Sequence, residues 1–275
     1  MGGDTNSPLL DEARAHLAAA LHGKRNPSES QHPWRKEWEF AVLHSLRVES
    51  YVVKILARQS HPLSPAEVEL LQLAAILHDI ARMDQRQGHA LAGAALAREW
   101  LRAQRSLPEE AQARVVELIA VHSNKQEAEP DFGKAVLKDA DTLDEIGAMS
   151  IFMSSNWLEH QSPFFFHRLR QRLVEVELPF CERAMGVLHT PGAKEILQEK
   201  KAFIGHFIAQ LSDELQIVRS IRDNEHFDLT WPELELAWDT RTWRVRYCDD
   251  GGDQPPHDRP GTGIRGGSEG AALEP

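Results

Sequence analysis

Four side chains in the sequence have the types and order needed to hold a divalent cation: His44, the adjacent pair His78-Asp79, and Asp141. Two imidazoles and two carboxylates leave coordination positions open for water and substrate. Mixed nitrogen and oxygen ligation suits Mn, Fe, Co, Ni, Zn or Mg, and the donor set alone does not choose among them. One ion held there lowers the pKa of a bound water and polarises a phosphoryl oxygen, which is the chemistry of phosphate-ester hydrolysis. The His-Asp dipeptide by itself carries little weight. With 14 histidines in 275 residues, composition predicts about one such pair by chance. A second pair, His257-Asp258, does occur, between prolines in a polar tail. The context of the first pair sets it apart, because the apolar helical run Leu73-Ala-Ala-Ile-Leu-His-Asp-Ile80 closes on it. Burying several ionisable groups is costly unless something pairs them.

Further candidates surround these four. His89 and His122 fall between the His-Asp pair and Asp141. They are able to ligate a second metal, to contact a substrate phosphate and move protons, or simply to pack. His89 follows Asp79 by only 10 residues, a short interval for a bridged two-metal site, so the expectation is one ion with His89 and His122 serving the substrate. Arg82 and Asp84 follow the His-Asp pair by about a turn. Arg82 has the fork to clamp a phosphate, and Asp84 is a candidate general base or water-orienting group; the bland alternative for both is a solvated loop. Arg47 and Lys138 are candidates for neutralising phosphate, with surface placement as the alternative for Lys138. Asp139 reads as a supporting or surface residue. Phe164-Phe165-Phe166 reads as core, with a base-stacking wall as its alternative.

These residues need a scaffold, and the pattern that supplies it is helical. Leu10, Leu17 and Leu21 make a stripe closed by Gly23. A long helix is expected from Pro33, carrying Trp34, Trp38, Val42, Leu46, Val53 and Leu56. Ser64-Pro65-Ala66-Glu67 is a helix start, with Ser as N-cap, Pro at the first position and Glu at the third. Its helix runs into His78-Asp79. Later helices are expected after Gly88, from Pro108 to about His122, from Gly133 through Asp141 to Ile146, and over about 163–188 and 192–222. The segments 234–238 and 242–247 alternate around Asp239-Thr-Arg, the pattern of a small β-hairpin, and Trp231, Trp238 and Trp243 there are expected to pack on the helices or on a second copy rather than on a ligand. The chain thus divides into an N-terminal helix and loop (1–32), a main domain (33–222), an appendage (223–248) and a disordered tail (249–275) rich in Gly, Pro, Asp and Ser. The class is all-α with that hairpin as an addition.

Composition narrows the function classes. A formal charge of −11 argues against a large nucleic-acid footprint while leaving room for a small anionic substrate in a local pocket. No run approaches a membrane span and no signal peptide is visible, so no membrane association is expected. The two cysteines, Cys181 and Cys248, have no metal-ligand spacing, which fits a reducing cytoplasm.

The order His…His-Asp…Asp on consecutive helices resembles the HD superfamily of metal-dependent phosphohydrolases. The similarity extends over Ala75-Ile-Leu-His-Asp-Ile80, His89-Ala-Leu-Ala-Gly-Ala94, Ile119-Ala-Val-His122 and Asp139-Ala-Asp-Thr-Leu-Asp-Glu-Ile-Gly-Ala148. Downstream, His189-Thr-Pro-Gly-Ala-Lys194 is similar to the small bacterial YpgQ- and YedJ-like subgroup. The resemblance spans about residues 35–215. It implies an all-α helical bundle, His44, His78, Asp79 and Asp141 as ligands of one divalent metal, manganese among the options, and hydrolysis of nucleoside phosphates. The subgroup often has an arginine soon after the Gly-Ala pair, where this chain reads Met149-Ser-Ile-Phe-Met-Ser-Ser-Asn156; substrate contacts there are expected to differ. The expectation is therefore a nucleotide phosphohydrolase in which Asp84, Arg82, His122 and His89 assist catalysis. Its rivals are a dinuclear-iron oxygenase that uses His89 and His122 as additional ligands, and a non-catalytic sensor of metal and nucleotide. A homodimer is compatible with either class.

Overall fold

Helix α3 (Pro65–Leu77) is the element around which the others assemble, and its sequence explains why. It opens with the full reciprocal cap: Ser64 Oγ accepts from the Glu67 amide, and the Glu67 carboxylate accepts from the Ser64 amide at 2.8 Å. It ends in Leu73, Ala74, Ala75, Ile76 and Leu77, all buried without remainder. A helical run that is apolar on every side belongs inside a protein. This computed structural model describes residues 7–26, 32–104, 107–125 and 129–215. The hairpin expected over 234–247, the tail from 249, and the last turns of the helix expected to reach 222 lie outside the described residues.

The described residues form an all-α bundle. Helix α1 (Pro8–Leu21) lays Leu10, Ala13, Leu17 and Leu21 on α3 and on α2 (Trp38–Ala57). Helix α2 presents the stripe Ala41, His44, Ser45, Val48, Val52 and Ile55 to the interior. Helices α4 (His89–Arg102) and α5 (Glu109–Val121) pack on each other and, through α5, on α3. Helix α6 (Phe132–Leu143) packs on α2, α3 and α5, and every residue from Ala135 to Leu143 is buried. Helices α7 (Ala148–Ser155), α8 (Phe165–Arg172), α9 (Leu178–Val187) and α10 (Pro191–Leu215) follow. No described helix is long and apolar enough to cross a membrane. The chain divides into two units at Ile208; of the second, only Ala209–Leu215 is described, and it is helical.

Three helix boundaries differ from the sequence expectation, each for a local reason. The helix expected from Pro33 begins only at Trp38, after a 3₁₀ turn (Pro33–Lys36), because Glu37 is extended and bridges to Arg25 in antiparallel fashion. Helix α6 stops at Leu143, short of Ile146, because Asp144 is extended and Glu145 takes a left-handed φ of 63°. The run expected over 163–188 is one helical path interrupted by a π turn at Leu173–Glu177. Pro179 lies just beyond it and supplies no amide hydrogen, so the usual bond to the carbonyl four residues back cannot form.

Contacts at its N-terminal end help tie α10 to the bundle. Asp139 on α6 accepts from the His189 and Thr190 amides (2.9 and 2.7 Å) and from the Thr190 hydroxyl (2.7 Å). At Gly192, a Cβ would stand 2.5 Å from the Ile55 carbonyl, so α10 approaches α2 closely only because this residue has no side chain.

Candidate metal centre

Helix ends converge on one buried point, and each delivers a ligand-type side chain. His78 caps α3 and Asp79 starts the turn that follows. His89 is the first residue of α4, and His122 caps α5. Asp141 lies in the last turn of α6, and His44 faces inward from the middle of α2. All six are buried. Gly93 is needed for the approach of α4, since a Cβ there would come within 3.0 Å of the His78 carbonyl.

The four imidazoles are oriented alike. His78 Nδ1 donates to the Ala75 carbonyl at 2.8 Å, His122 Nδ1 to Ile119 at 2.7 Å, and His89 Nδ1 to Arg86 at 2.8 Å. His44 Nδ1 donates to Asp144 Oδ2 at 2.7 Å. A carbonyl or carboxylate oxygen only accepts, so these bonds favour a proton on Nδ1 and direct Nε2 inward, where it carries a lone pair in each ring that is neutral. There they meet in pairs: His44 and His78 Nε2 are 3.3 Å apart, and His89 and His122 Nε2 are 3.2 Å apart.

Asp79 stands between the pairs. Its Oδ2 is 3.5 Å from His44 Nε2 and 3.7 Å from His78 Nε2, while its Oδ1 is 3.3 Å from His89 Nε2 and 3.6 Å from His122 Nε2. Asp141 Oδ1 adds to the first pair at 3.3 Å from His44 Nε2 and 3.8 Å from His78 Nε2. Neither Asp79 Oδ1 nor Asp141 Oδ1 has a hydrogen bond of acceptable geometry among the described residues, although both are buried. Donor atoms of His44, His78 and Asp141 lie within 4.8 Å of one another, as do those of His78, Asp79 and His122. Inward-facing lone pairs and orphaned carboxylate oxygens at these separations repel unless a proton or a cation lies among them. The donor set therefore fits a metal.

Electrostatics agree. Burial alone would raise the Asp79 and Asp141 carboxyls, but both are held well below their ordinary value, Asp79 by His78, His122 and His44, and Asp141 by Lys125, His44 and His78. Burial pushes the His78 ring down to about 4, so it is a neutral donor at physiological pH. Burial also lowers His89. At His44 burial is outweighed by Asp141, Asp144 and Asp79, and the ring rises to about 9.

Supporting residues that sequence reasoning passed over complete the arrangement. Lys125, itself buried, bonds Asp141 Oδ2 at 2.8 Å and so turns the other oxygen toward the histidines. Asp144 holds His44 and in turn receives both Nε and Nη2 of Arg47 at 2.8 and 2.9 Å. Arg47, expected as a phosphate contact, is thus committed to orienting a ligand. Asp144 was in view within the quoted Asp139–Ala148 run, but its partners are about a hundred residues away and no spacing rule points to them.

The other expected residues divide. Arg82 lies against the His89 ring, with Nη1 3.2 Å from Nδ1. Together with Arg35, Arg86, His44 and Asp79 it lines a cavity of about 90 Å³ at the mouth of the centre. Asp84 is not brought to the centre: it is half exposed and ion-paired with Lys24 at 2.6 Å. Lys138 is buried against Glu129 rather than exposed, and Asp139, also buried, belongs to the α10 attachment rather than to the surface. Phe165 packs against the core and Phe166 is exposed. Trp231, Trp238 and Trp243 lie outside the described residues.

Residues 42–146 match the HD domain family. A predicted HD superfamily hydrolase from an uncultured Thermotogales bacterium is 20% identical over 76% of this chain and 94% of its own, with a TM-score of 0.51, a likeness of fold. YpgQ from Bacillus subtilis in complex with ADP is 20% identical over 74% of this chain and 97% of its own, with a TM-score of 0.46. Lin1889 from Listeria innocua is 19% identical over 76% and 96%, with a TM-score of 0.47. No curated protein matches the chain.

Proposed function

Because the chain carries an HD domain, with its His-Asp pair at the buried centre, we propose that it is a metal-dependent phosphohydrolase acting on a small nucleotide, cleaving a phosphoester or phosphoanhydride bond. The observation that carries this reading is Asp79. Each of its oxygens faces a different histidine pair, beneath a mouth lined by Arg35, Arg82 and Arg86. The arrangement supports two cation subsites rather than the single ion the ligand order suggested. His44, His78, Asp79 and Asp141 would hold one ion; His89, His122 and the other Asp79 oxygen would hold the second. When bound, such ions supply Lewis acidity and a water of lowered pKa.

The chain's own groups do the rest. Arginines at the mouth match the oxygens of a phosphate group and neutralise its charge where it must approach two carboxylates. Arg82, next to His89, is the one placed to position the phosphate undergoing attack. Asp144 and the three carbonyls hold each ring through Nδ1 and keep every Nε2 aimed inward. Lys125 and Arg47 offset Asp141 and Asp144, so the centre is not overloaded with negative charge. Asp84 has no part in this scheme.

A second reading is favoured by the same pair of histidines: a dinuclear-iron oxygenase on this fold. The two readings differ in what they consume. Protein purified without chelator, supplied with Mn, Co or Mg and a panel of nucleotides, should release phosphate or pyrophosphate, and the product identifies the bond broken. Two irons per chain with oxygen uptake and no nucleotide turnover would replace the hydrolase with the oxygenase.

A further inference from the structure

A second cavity, of about 290 Å³, adjoins the arginine mouth. Arg35 and Glu145 line both spaces, so the two meet at the Arg35–Glu145 ion pair. The second cavity also reaches Lys125, which holds Asp141. Part of its lining is different in character from the mouth. It is built from the aromatic rings of His32, Trp157 and Phe180 and from Ile146 and Met153. His32 and Trp157 stand edge to face, with ring centroids 6.2 Å apart. The volume is near the lower limit of about 300 Å³ for small-molecule sites, and an apolar lining with a few placed polar groups is what such sites have.

The placed polar group is Glu177. It is the last residue of the π turn between α8 and α9, a kind of interruption that recurs at functional sites. Ser154 on α7 donates to its Oε1. The other acidic residues of this cavity, Asp144 and Glu145, already have cationic partners in Arg47 and Arg35. Glu177 thus offers a carboxylate with one oxygen held by Ser154 and the Arg172 guanidinium nearby, which itself lies over one face of Trp157 at 5.2 Å.

We propose that this cavity is a guanine pocket, in which Glu177 reads the base while its phosphates lie over the metal centre. The inference rests on the nucleotide reading above and adds the base. A flat heterocycle stacks on Trp157 and Phe180. A carboxylate only accepts, so it selects an edge that only donates. Guanine presents N1–H and N2–H side by side, matching the two oxygens. Adenine and cytosine set a ring-nitrogen acceptor beside their amino group, and uracil flanks its N–H with carbonyls, so each places an acceptor against the carboxylate. A site built on one hydrogen-bond pattern rejects bases that lack it.

The test uses the full chain and nucleosides, which carry no phosphate, in the presence of chelator, with binding measured by calorimetry. Guanosine should bind at least tenfold more tightly than adenosine, cytidine or uridine. Glu177→Gln replaces two acceptors with one donor and one acceptor, the complement of adenine's edge. It should lower guanosine affinity at least tenfold and raise adenosine affinity, with the melting temperature confirming a folded variant. Trp157→Ala should weaken all nucleosides together. Equal affinity for the four nucleosides, no binding of guanosine, or an unchanged preference in Glu177→Gln would each overturn the guanine pocket. These outcomes are separable from failure of the hydrolase reading. Guanosine binding without phosphate release from any nucleotide would remove the hydrolase and keep the pocket; turnover indifferent to the base would do the reverse.

Discussion

Asp139 and Asp141 are two residues apart on α6, both buried, and the molecule uses them in opposite ways. Asp139 is saturated: two backbone amides and a hydroxyl from the start of α10 donate to it. Asp141 has Lys125 on Oδ2, while Oδ1, 3.3 Å from His44 Nε2, has no hydrogen bond of acceptable geometry among the described residues. The first region is a finished structural joint. The second keeps a buried carboxylate oxygen facing two histidine rings. Burial and residue type are the same in both, so neither identifies function. The count of satisfied acceptors separates these two aspartates, because an ionised oxygen buried without a partner is costly to keep for packing alone.

That contrast can be broken by mutation. The largest effect is expected at Asp79, which faces both histidine pairs. Asp79→Ala should lose all bound metal and all hydrolysis together, read by elemental analysis and phosphate release; a variant with full turnover would contradict the site. Next, His122→Ala should remove one of two ions per chain, whereas His78→Ala should remove the other. Asp144→Asn acts at one remove, loosening His44, and should weaken metal binding about 10–100-fold, the usual range for partners that orient a ligand. Asp139→Ala should do the opposite of all these. Two buried amides lose their acceptor, so the fold should lose about 3 kcal/mol in a denaturant titration while metal content stays whole. If metal were lost in proportion to stability, the separation between joint and site would fail. The smallest effect belongs to Asp84→Ala. Its exposed pair with Lys24 should matter by less than about 1 kcal/mol, and activity should stay within a small factor of wild type.

The same contrast explains what could be read from the sequence. The fold class was legible because local patterns specify it, from the Ser64 cap to the apolar run that ends at His78; His44, His78, Asp79 and Asp141 were expected as ligands from their order and the resemblance, and the structure brings the four together. The meeting of His89 with His122 was not legible, since it depends on how closely α4 approaches the His78 turn, and that is set by Gly93. Lys125, Arg47 and Asp144 were missed or misread because their partners come from other helices. A charged residue near a site reads as a substrate contact until the structure shows which carboxylate it serves. Asp84 failed for the converse reason: a turn's distance from a ligand in sequence put it on the outside of that turn.

The most direct test of the account is the number of metal ions per chain in protein purified without chelator, compared with His122→Ala and Asp79→Ala. The account predicts two in the wild type, one in His122→Ala and none in Asp79→Ala, with phosphate release from nucleotides falling in the same order. A wild type holding a single ion that survives loss of His122 would contradict the two-subsite centre around Asp79.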